Sequence, residues 1–397
     1  MATLRNRAAV VGIGQTPYSR DSGTSETALA LQAIGAALHD AAIDPSEVDG
    51  LIRYAYDNVS PATVVRNLGI PALRWFGEVP FGGVALCGVV AQAAAAIAAG
   101  QARVVVVWRA LNERSGVRYG RAERHFQSDG AGTQAVLASG GRTPAGEFSG
   151  PWGLLVPGQS FALVASRYAA EAGIAQAQLS QALCRVAVQQ RAYAQTNPAA
   201  IMRGRTMGAD DYFASRMVYD PLRLFDLCLE SDGAAALVIA EAGRAQRCRA
   251  PVFIRSGFQF LGPHTEPISI FGKDLLAPTP PAFVDRLFSD AQLRREDMDF
   301  AQVYDATSYA VLAGLEQYGF VPRLQGWRWL QEHGIGADAP LPVNTHGGHL
   351  SEAYIHGMNH MVEAVRQLRG TAANQLPRAR HGIVVGGSAG AVILGQP

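Results

Sequence analysis

The feature that most constrains this chain is a weak internal repeat. Leu38-His-Asp-Ala-Ala-Ile-Asp-Pro-Ser-Glu-Val-Asp-Gly-Leu-Ile-Arg-Tyr54 lies without gaps over Phe288-Ser-Asp-Ala-Gln-Leu-Arg-Arg-Glu-Asp-Met-Asp-Phe-Ala-Gln-Val-Tyr304. Asp40/Asp290, Ala41/Ala291, Asp49/Asp299 and Tyr54/Tyr304 are identical, and each copy reads as a helix end, a turn and a buried strand. Gly82-Gly83 opens an Ala-rich helix that ends at Gly100 before Val104-Val-Val-Val107, and Gly347-Gly348 precedes a helix ending at Gly370 before Gly382-Ile-Val-Val385. Two halves built on one plan follow from this self-similarity.

Within the first half, β-type runs alternate with helical patterns: Ala8 to Ile13, a helix over 26–41, Gly50 to Tyr54, a helix over 84–99, then Val104 to Trp108. That order is βαβαβ and predicts an α/β protein with a mainly parallel, covered sheet. Residues 113–225 interrupt the plan with Gly, Pro and amphipathic patterns at Phe161 to Ala170 and Leu179 to Ala194. They read as a lid-like insertion lying over the first half. Asp232 to Ala240 returns to the core. The expected division is therefore 1–250, including the insertion, and 251–397.

With 48% hydrophobic and 17% charged residues, the 397-residue chain can bury a full core, and a charge fraction below the usual ~25% predicts extensive packing and an oligomer. Lys plus Arg (34) nearly balance Asp plus Glu (33), which offers no electrostatic footprint for nucleic acid or an anionic membrane. Four dispersed cysteines without a C-x-x-C pair, and an N-terminus running straight into the strand at Ala8, predict a cytoplasmic protein without a secretory signal. In Gly12-Ile-Gly14 the third glycine of a dinucleotide fingerprint would fall at Pro17, so that reading is rejected. Arg203 and Arg205 in the insertion are either contacts for a phosphate-bearing ligand or solvated surface charges.

Paired βαβαβ halves, Gly-Gly turns and the insertion resemble the thiolase superfamily. Asn197-Pro198, Asp220-Pro-Leu-Arg-Leu-Phe-Asp226, Ser231-Asp-Gly-Ala-Ala-Ala236, Gln302-Val-Tyr-Asp305, Leu341-Pro-Val-Asn-Thr345 and Gln367-Leu-Arg-Gly370 resemble its sterol-carrier-protein thiolase branch. The resemblance implies a five-layer αβαβα core. It also implies what is missing. The position of the nucleophilic cysteine, counted back from Gly100, is Gly83; Cys87, one turn on, reads as a packed hydrophobe. The family's Gly-Gly-x-x-x-x-Gly-His histidine becomes Tyr354, the acid/base cysteine becomes Val384 before Gly386-Gly-Ser-Ala-Gly390, and the pair ending the first strand of the second half is Tyr304-Asp305.

That pattern resembles the lipid-transfer-protein-like aldolases of bacterial steroid degradation, although Thr307 and the stretch 321–336 depart from it. It implies retro-aldol cleavage of a β-hydroxyacyl-CoA, a steroid 17-hydroxy-acyl-CoA, to a ketone and propionyl-CoA. Such chemistry needs a base, an enolate sink and an acid, but no covalent intermediate. Tyr354, Tyr304, His356 and Asp305 are the expected catalytic set, with Gly83, Gly348, Gly387 and Ser388 shaping the substrate and oxyanion pocket. Tyr354 is the first choice for base or enolate proton donor. His346, His349, His356 and His360 cluster in sequence, but no carboxylate or cysteine visibly completes a metal set, so no metal is assigned. The resemblance further implies an acyl-CoA substrate, no bound cofactor, a homodimer, and an OB-fold partner with a zinc ribbon, giving a heterotetramer. The competing readings are a non-catalytic lipid or acyl-CoA carrier and a thiolase-like acyltransferase.

Overall fold

The computed structural model describes residues 4–80, 85–116, 118, 150–262 and 274–396. The first half contributes β1 (Ala8–Gln15), α1 (Glu26–Ala41), β2 (Gly50–Tyr54), α2 (Pro61–Leu68), β3 (Trp75–Val79), α3 (Leu86–Ala98) and β4 (Val104–Asn112). After the undescribed part of the insertion come α4 (Pro157–Ala172), α5 (Gln176–Thr196), the ribbon β5 (Met217–Tyr219) and β6 (Leu222–Arg223), and β7 (Asp232–Glu241). The second half contains β8 (Val252–Gln259), α6 (Pro281–Ala291), β9 (Phe300–Val303), α7 (Ser308–Gln317), α8 (Gly348–Ser351), α9 (Met358–Arg369), β10 (His381–Val385) and β11 (Gly390–Gly395).

Local chemistry explains the repeat. Ser25 caps α1 by accepting the Ala28 N–H at 3.2 Å, and Leu29, Ala30, Ala33, Ile34, Ala37, Leu38 and Ala41 bury one face at helical spacing. Ala42 ends α1 in the left-handed region (φ +50°), and Gln292 ends α6 the same way (φ +56°). Asp49 Oδ1 then accepts the N–H groups of Arg103 (2.8 Å) and Val104 (2.9 Å) at the start of β4. Its counterpart Asp299 accepts those of Arg380 (2.8 Å) and His381 (3.0 Å) at the start of β10. Each shared aspartate thus pins a neighbouring parallel strand.

The strands run in the order β3-β2-β4-β7-β1-β8-β11-β10-β9. β2–β3, β2–β4 and β9–β10 are parallel, whereas the other five pairings are antiparallel, which corrects the expectation of a mainly parallel sheet. The reason is connection length. β10 reaches β11 through a short turn, which permits only an antiparallel hairpin, and β7 enters from the long insertion rather than from a βαβ crossover. Within the sheet, the two halves are joined by pairing of β1 with β8 at Ala9↔Phe253 and Val10↔Val252.

Three buried clusters define the five layers. α1 and α2 cover one face of β1, β4 and β7. α3 and α9 share a middle core with strands of both halves. α6 and α7 cover β9, β10 and β11. Gly12 and Gly14 serve close packing, since a Cβ on either would lie 2.1 Å from an α1 carbonyl oxygen. The insertion lies elsewhere than expected. Ala165, Tyr168, Leu179, Leu183 and Val186 of α4 and α5 bury their apolar faces with Tyr309, Leu312 and Leu315 of α7, so the described helices cover the second half. Tyr168 adds a hydrogen bond to Glu316 at 2.6 Å.

Candidate active site

The C-terminal ends of β9 and β10 converge, where open α/β sheets place their ligands. The Tyr304 N–H, just past β9, donates to the Val385 carbonyl at 2.9 Å, which brings the 386–389 turn alongside. Tyr354 arrives from the segment between α8 and α9, its N–H donating to Ser231 Oγ at 3.1 Å. The two phenolic oxygens then stand 2.7 Å apart, at 7% and 8% residue exposure. Burial raises both phenols above their ordinary value near 10. Their shared hydrogen bond opposes this at Tyr304 and adds to it at Tyr354, and the charge of Glu113 raises both.

Asp305 is fully buried behind this pair. Both its oxygens accept the His349 N–H at 3.0 Å, His349 Nδ1 is 3.1 Å from Oδ1, and His360 Nε2 is 2.9 Å from the same oxygen. Burial pushes Asp305 up to about 6 against the pull of His349, and holds His349 and His360 down to about 3, so both imidazoles are neutral at pH 7. Gly348 makes this packing possible: at φ +59°, a Cβ there would lie 2.3 Å from Asp305 Oδ2. The ligand atoms of Asp305, His349 and His360 lie within 4.8 Å of one another. Two imidazoles and a carboxylate are donors suited to a divalent transition metal, so the expectation that no carboxylate completes the histidine set is corrected. His346 stands edge-on to His360, with ring centroids 4.8 Å apart.

His356 belongs to a different network. It is not one helical turn before His360, because it has φ +48° and α9 starts only at Met358. Its Nδ1 accepts from Arg109 Nε at 2.9 Å, its ring stacks on Tyr54 (6.3 Å, 27°), and Tyr354 meets it edge-on at 5.0 Å. Gly387 and Ser388 are half-buried in the turn after β10. Their carbonyls are held by Tyr318 Oη (3.1 Å) and Thr279 Oγ1 (2.8 Å). The Ala389 N–H is used within the turn, by the Gly386 carbonyl at 3.4 Å.

Thus Tyr304, Tyr354, Asp305, His356 and Gly348 come together, with the 386–389 turn beside Tyr304, while Gly83 lies outside the described residues. Cys87 is fully buried, donates to the Val384 carbonyl at 3.3 Å and has its thiol pushed up by burial, as a packed side chain. Asp232 acts structurally, accepting the N–H groups of Ser22, Arg114 and Ser115 at 3.1, 2.8 and 3.1 Å. Arg203 and Arg205 have exposed side chains. Sequence reasoning missed Arg109, Asp57, Glu113 and Glu352. Glu352 is buried between Asn197 and Asn359 (2.8 Å each) and burial pushes it up to about 8. For Arg109 a signal existed, since one cation inside the apolar run Val104–Leu111 must find a buried partner.

Residues 276–394 match the family described as thiolase C-terminal domain-like. Over 378 residues the chain is 40% identical to the steroid side-chain-cleaving aldolase of Thermomonospora curvata, covering 94% of this chain and 93% of that one. It belongs to this aldolase family of the thiolase superfamily. The 17-hydroxy-3-oxo-4-pregnene-20-carboxyl-CoA lyase of Mycobacterium tuberculosis is 37% identical over 388 residues, 97% of each chain. Among solved structures, the Ltp2-ChsH2(DUF35) aldolase matches with a TM-score of 0.89 at 37% identity, covering 100% of this chain and 99% of that one. Human mitochondrial 3-ketoacyl-CoA thiolase, at 17% identity and a TM-score of 0.67 over the whole of both chains, shares the fold. The chain is accordingly an aldolase, a carbon–carbon lyase, rather than a cysteine-dependent thiolase. Among the described residues no helix is long and apolar enough to cross a membrane.

Proposed function

We propose that this aldolase cleaves a steroid 17-hydroxy-acyl-CoA by retro-aldol reaction, giving a 17-ketosteroid and propionyl-CoA. The observation that carries the reading is the buried 2.7 Å contact between the Tyr304 and Tyr354 hydroxyls, Tyr354 standing at the position where the thiolase motif has a histidine. The base must take the hydroxyl proton as the Cα–Cβ bond breaks, and the acid must return a proton to the enolate carbon. Two phenols in contact perform both as a relay: one accepts while the other donates, so neither must persist as a phenolate in a site that disfavours one. His356 supplies a hydrogen bond to the thioester oxygen as it becomes an enolate, with the 386–389 turn beside it. Asp305, Gly348 and their histidines fix the segment that carries Tyr354. CoA enters as part of the substrate, and the protein needs no resident cofactor.

The reading extends to assembly. β3 is a sheet edge with Phe76 71% exposed, an arrangement that favours pairing with a second copy. The match to the Ltp2-ChsH2(DUF35) aldolase supports a second component, which we read, from the family resemblance, as an OB-fold protein with a zinc ribbon. The test is mass spectrometry of products from a steroid 17-hydroxy-22-oyl-CoA, with and without a co-expressed OB-fold partner. A 17-ketosteroid plus propionyl-CoA is expected. Tight binding of an intact thioester in both cases would overturn the reading in favour of a carrier.

A further inference from the structure

Arg109 is 1% exposed and its guanidinium is fixed from two sides. Nη1 donates to Asp57 Oδ2 (3.1 Å) and to the Ala110 carbonyl (2.8 Å), while Nε donates to His356 Nδ1 (2.9 Å). Asp57 is itself immobilised, accepting the N–H groups of Ala110 and Val59 (2.8 Å each) and the Trp108 indole (3.3 Å). A guanidinium has donors only and keeps its charge at any working pH. The nitrogen facing it must therefore be a lone pair, and the one proton of a neutral His356 must sit on Nε2. A second proton would set an N–H against an N–H beside a fixed cation.

We infer that Arg109, anchored by Asp57, is the positioning residue that holds His356 as a neutral Nε2–H donor. This rests on the reading above in assigning His356 to the enolate oxygen. The groups around the ring agree with the assignment. Tyr54 from β2 stacks on it and donates to the His356 carbonyl at 3.3 Å, Arg109 comes from β4, and Tyr354 comes from its own segment with Tyr304 and Glu113 behind it. Among the described residues, Asp57 and Glu113 bring carboxylates into this neighbourhood, and Asp57 is linked to the ring through Arg109. A neutral donor stabilises an enolate oxygen without an acidic proton that would quench it there, so protonation is left to the tyrosines.

The test begins with two-bond ¹H–¹⁵N spectra of the full chain labelled in histidine, the His356 signals being assigned by their loss in His356→Gln. The Nε2–H pattern, unchanged from about pH 6 to pH 8, is expected. An Nδ1–H tautomer, or an imidazole that titrates near its ordinary ~6.5, would overturn the inference whatever the activity. The second arm is Asp57→Asn with Arg109→Gln, which removes the buried charge pair together. His356 should then titrate, kcat should fall on the order of tenfold with KM changed less than threefold, and the pH–rate profile should gain an acid limb at the new imidazole pKa. Titration of His356 without a new limb would overturn the inferred role. Expected spectra from a protein that cleaves no steroid acyl-CoA would leave the tautomer standing and remove the retro-aldol reading instead.

Discussion

Tyr54 and Tyr304 end matching strands of the two halves, after matching helices, turns and strand-pinning aspartates, yet their hydroxyls do different things. Tyr54 donates to the carbonyl of His356 and supports that ring with its face, so its proton is committed to structure. Tyr304 meets another phenol, an arrangement in which either oxygen can be the donor. The duplication supplies the scaffold twice. Chemistry arises only where α8 and the turn before α9 bring Tyr354, Gly348 and the histidines over one of the two strand ends.

The largest effect expected from breaking this contrast is at the dyad. Tyr354→Phe should lower turnover by about 10²–10⁴ with the affinity for an uncleaved thioester, read by calorimetry, changed less than threefold, and Tyr304→Phe should match it. Tyr54→Phe should cost under tenfold; equal losses at Tyr54 and Tyr304 would erase the distinction drawn here. Next come the shared aspartates. Asp49→Ala and Asp299→Ala each strip an acceptor from two backbone N–H groups and should each cost about 2 kcal/mol in urea unfolding. A large inequality between them would show that the two halves are not equivalent in stability.

A smaller effect is expected from pH. Glu352 is raised to about 8 in the folded state against an ordinary 4.5, so between these values the native state holds a proton that the unfolded chain has released. Stability therefore falls as pH rises through that window, by up to about 1.4 kcal/mol per unit from this group. Glu352→Gln should flatten the fall and be the more stable protein at pH 8 by thermal unfolding. Smallest of all, Cys87→Ala should keep turnover within twofold, because the thiol only fills space and donates to the Val384 carbonyl. A loss of several hundredfold would return nucleophilic catalysis to consideration.

Much of this is legible in the sequence, for physical reasons. Repetition at 38–54 and 288–304 exposed the duplicated plan, and burial of whole strands showed as unbroken apolar runs. Tyr354 could be found because it stands six residues after Gly348, where the motif of the family the chain resembles has a histidine. The Trp75-Phe-Gly-Glu-Val79 edge was not recognised, since an exposed edge mixes apolar and charged residues without a buried run. Nor was the seat of α4 and α5, whose partners in α7 lie well over a hundred residues downstream and leave no mark on local periodicity. Asp305 was visible, but its convergence with His349 and His360 depends on a main-chain approach that spacing cannot encode. Arg109 is harder to assign because its side-chain partners, Asp57 and His356, come from two segments far apart in the sequence.

The shared middle layer binds the histories of the two halves together. α3 and α9 bury residues against strands on both sides, and Gly357, which opens α9, has room for no Cβ: one there would lie 2.7 Å from Leu86 of α3 and 3.2 Å from Tyr304. An enlargement of Leu86, remote from Tyr304 in sequence, would be transmitted through that glycine to the phenol. Neither half can drift on its own, and a gene severed between residues 250 and 251 would yield two polypeptides that must find each other before either has a complete interior.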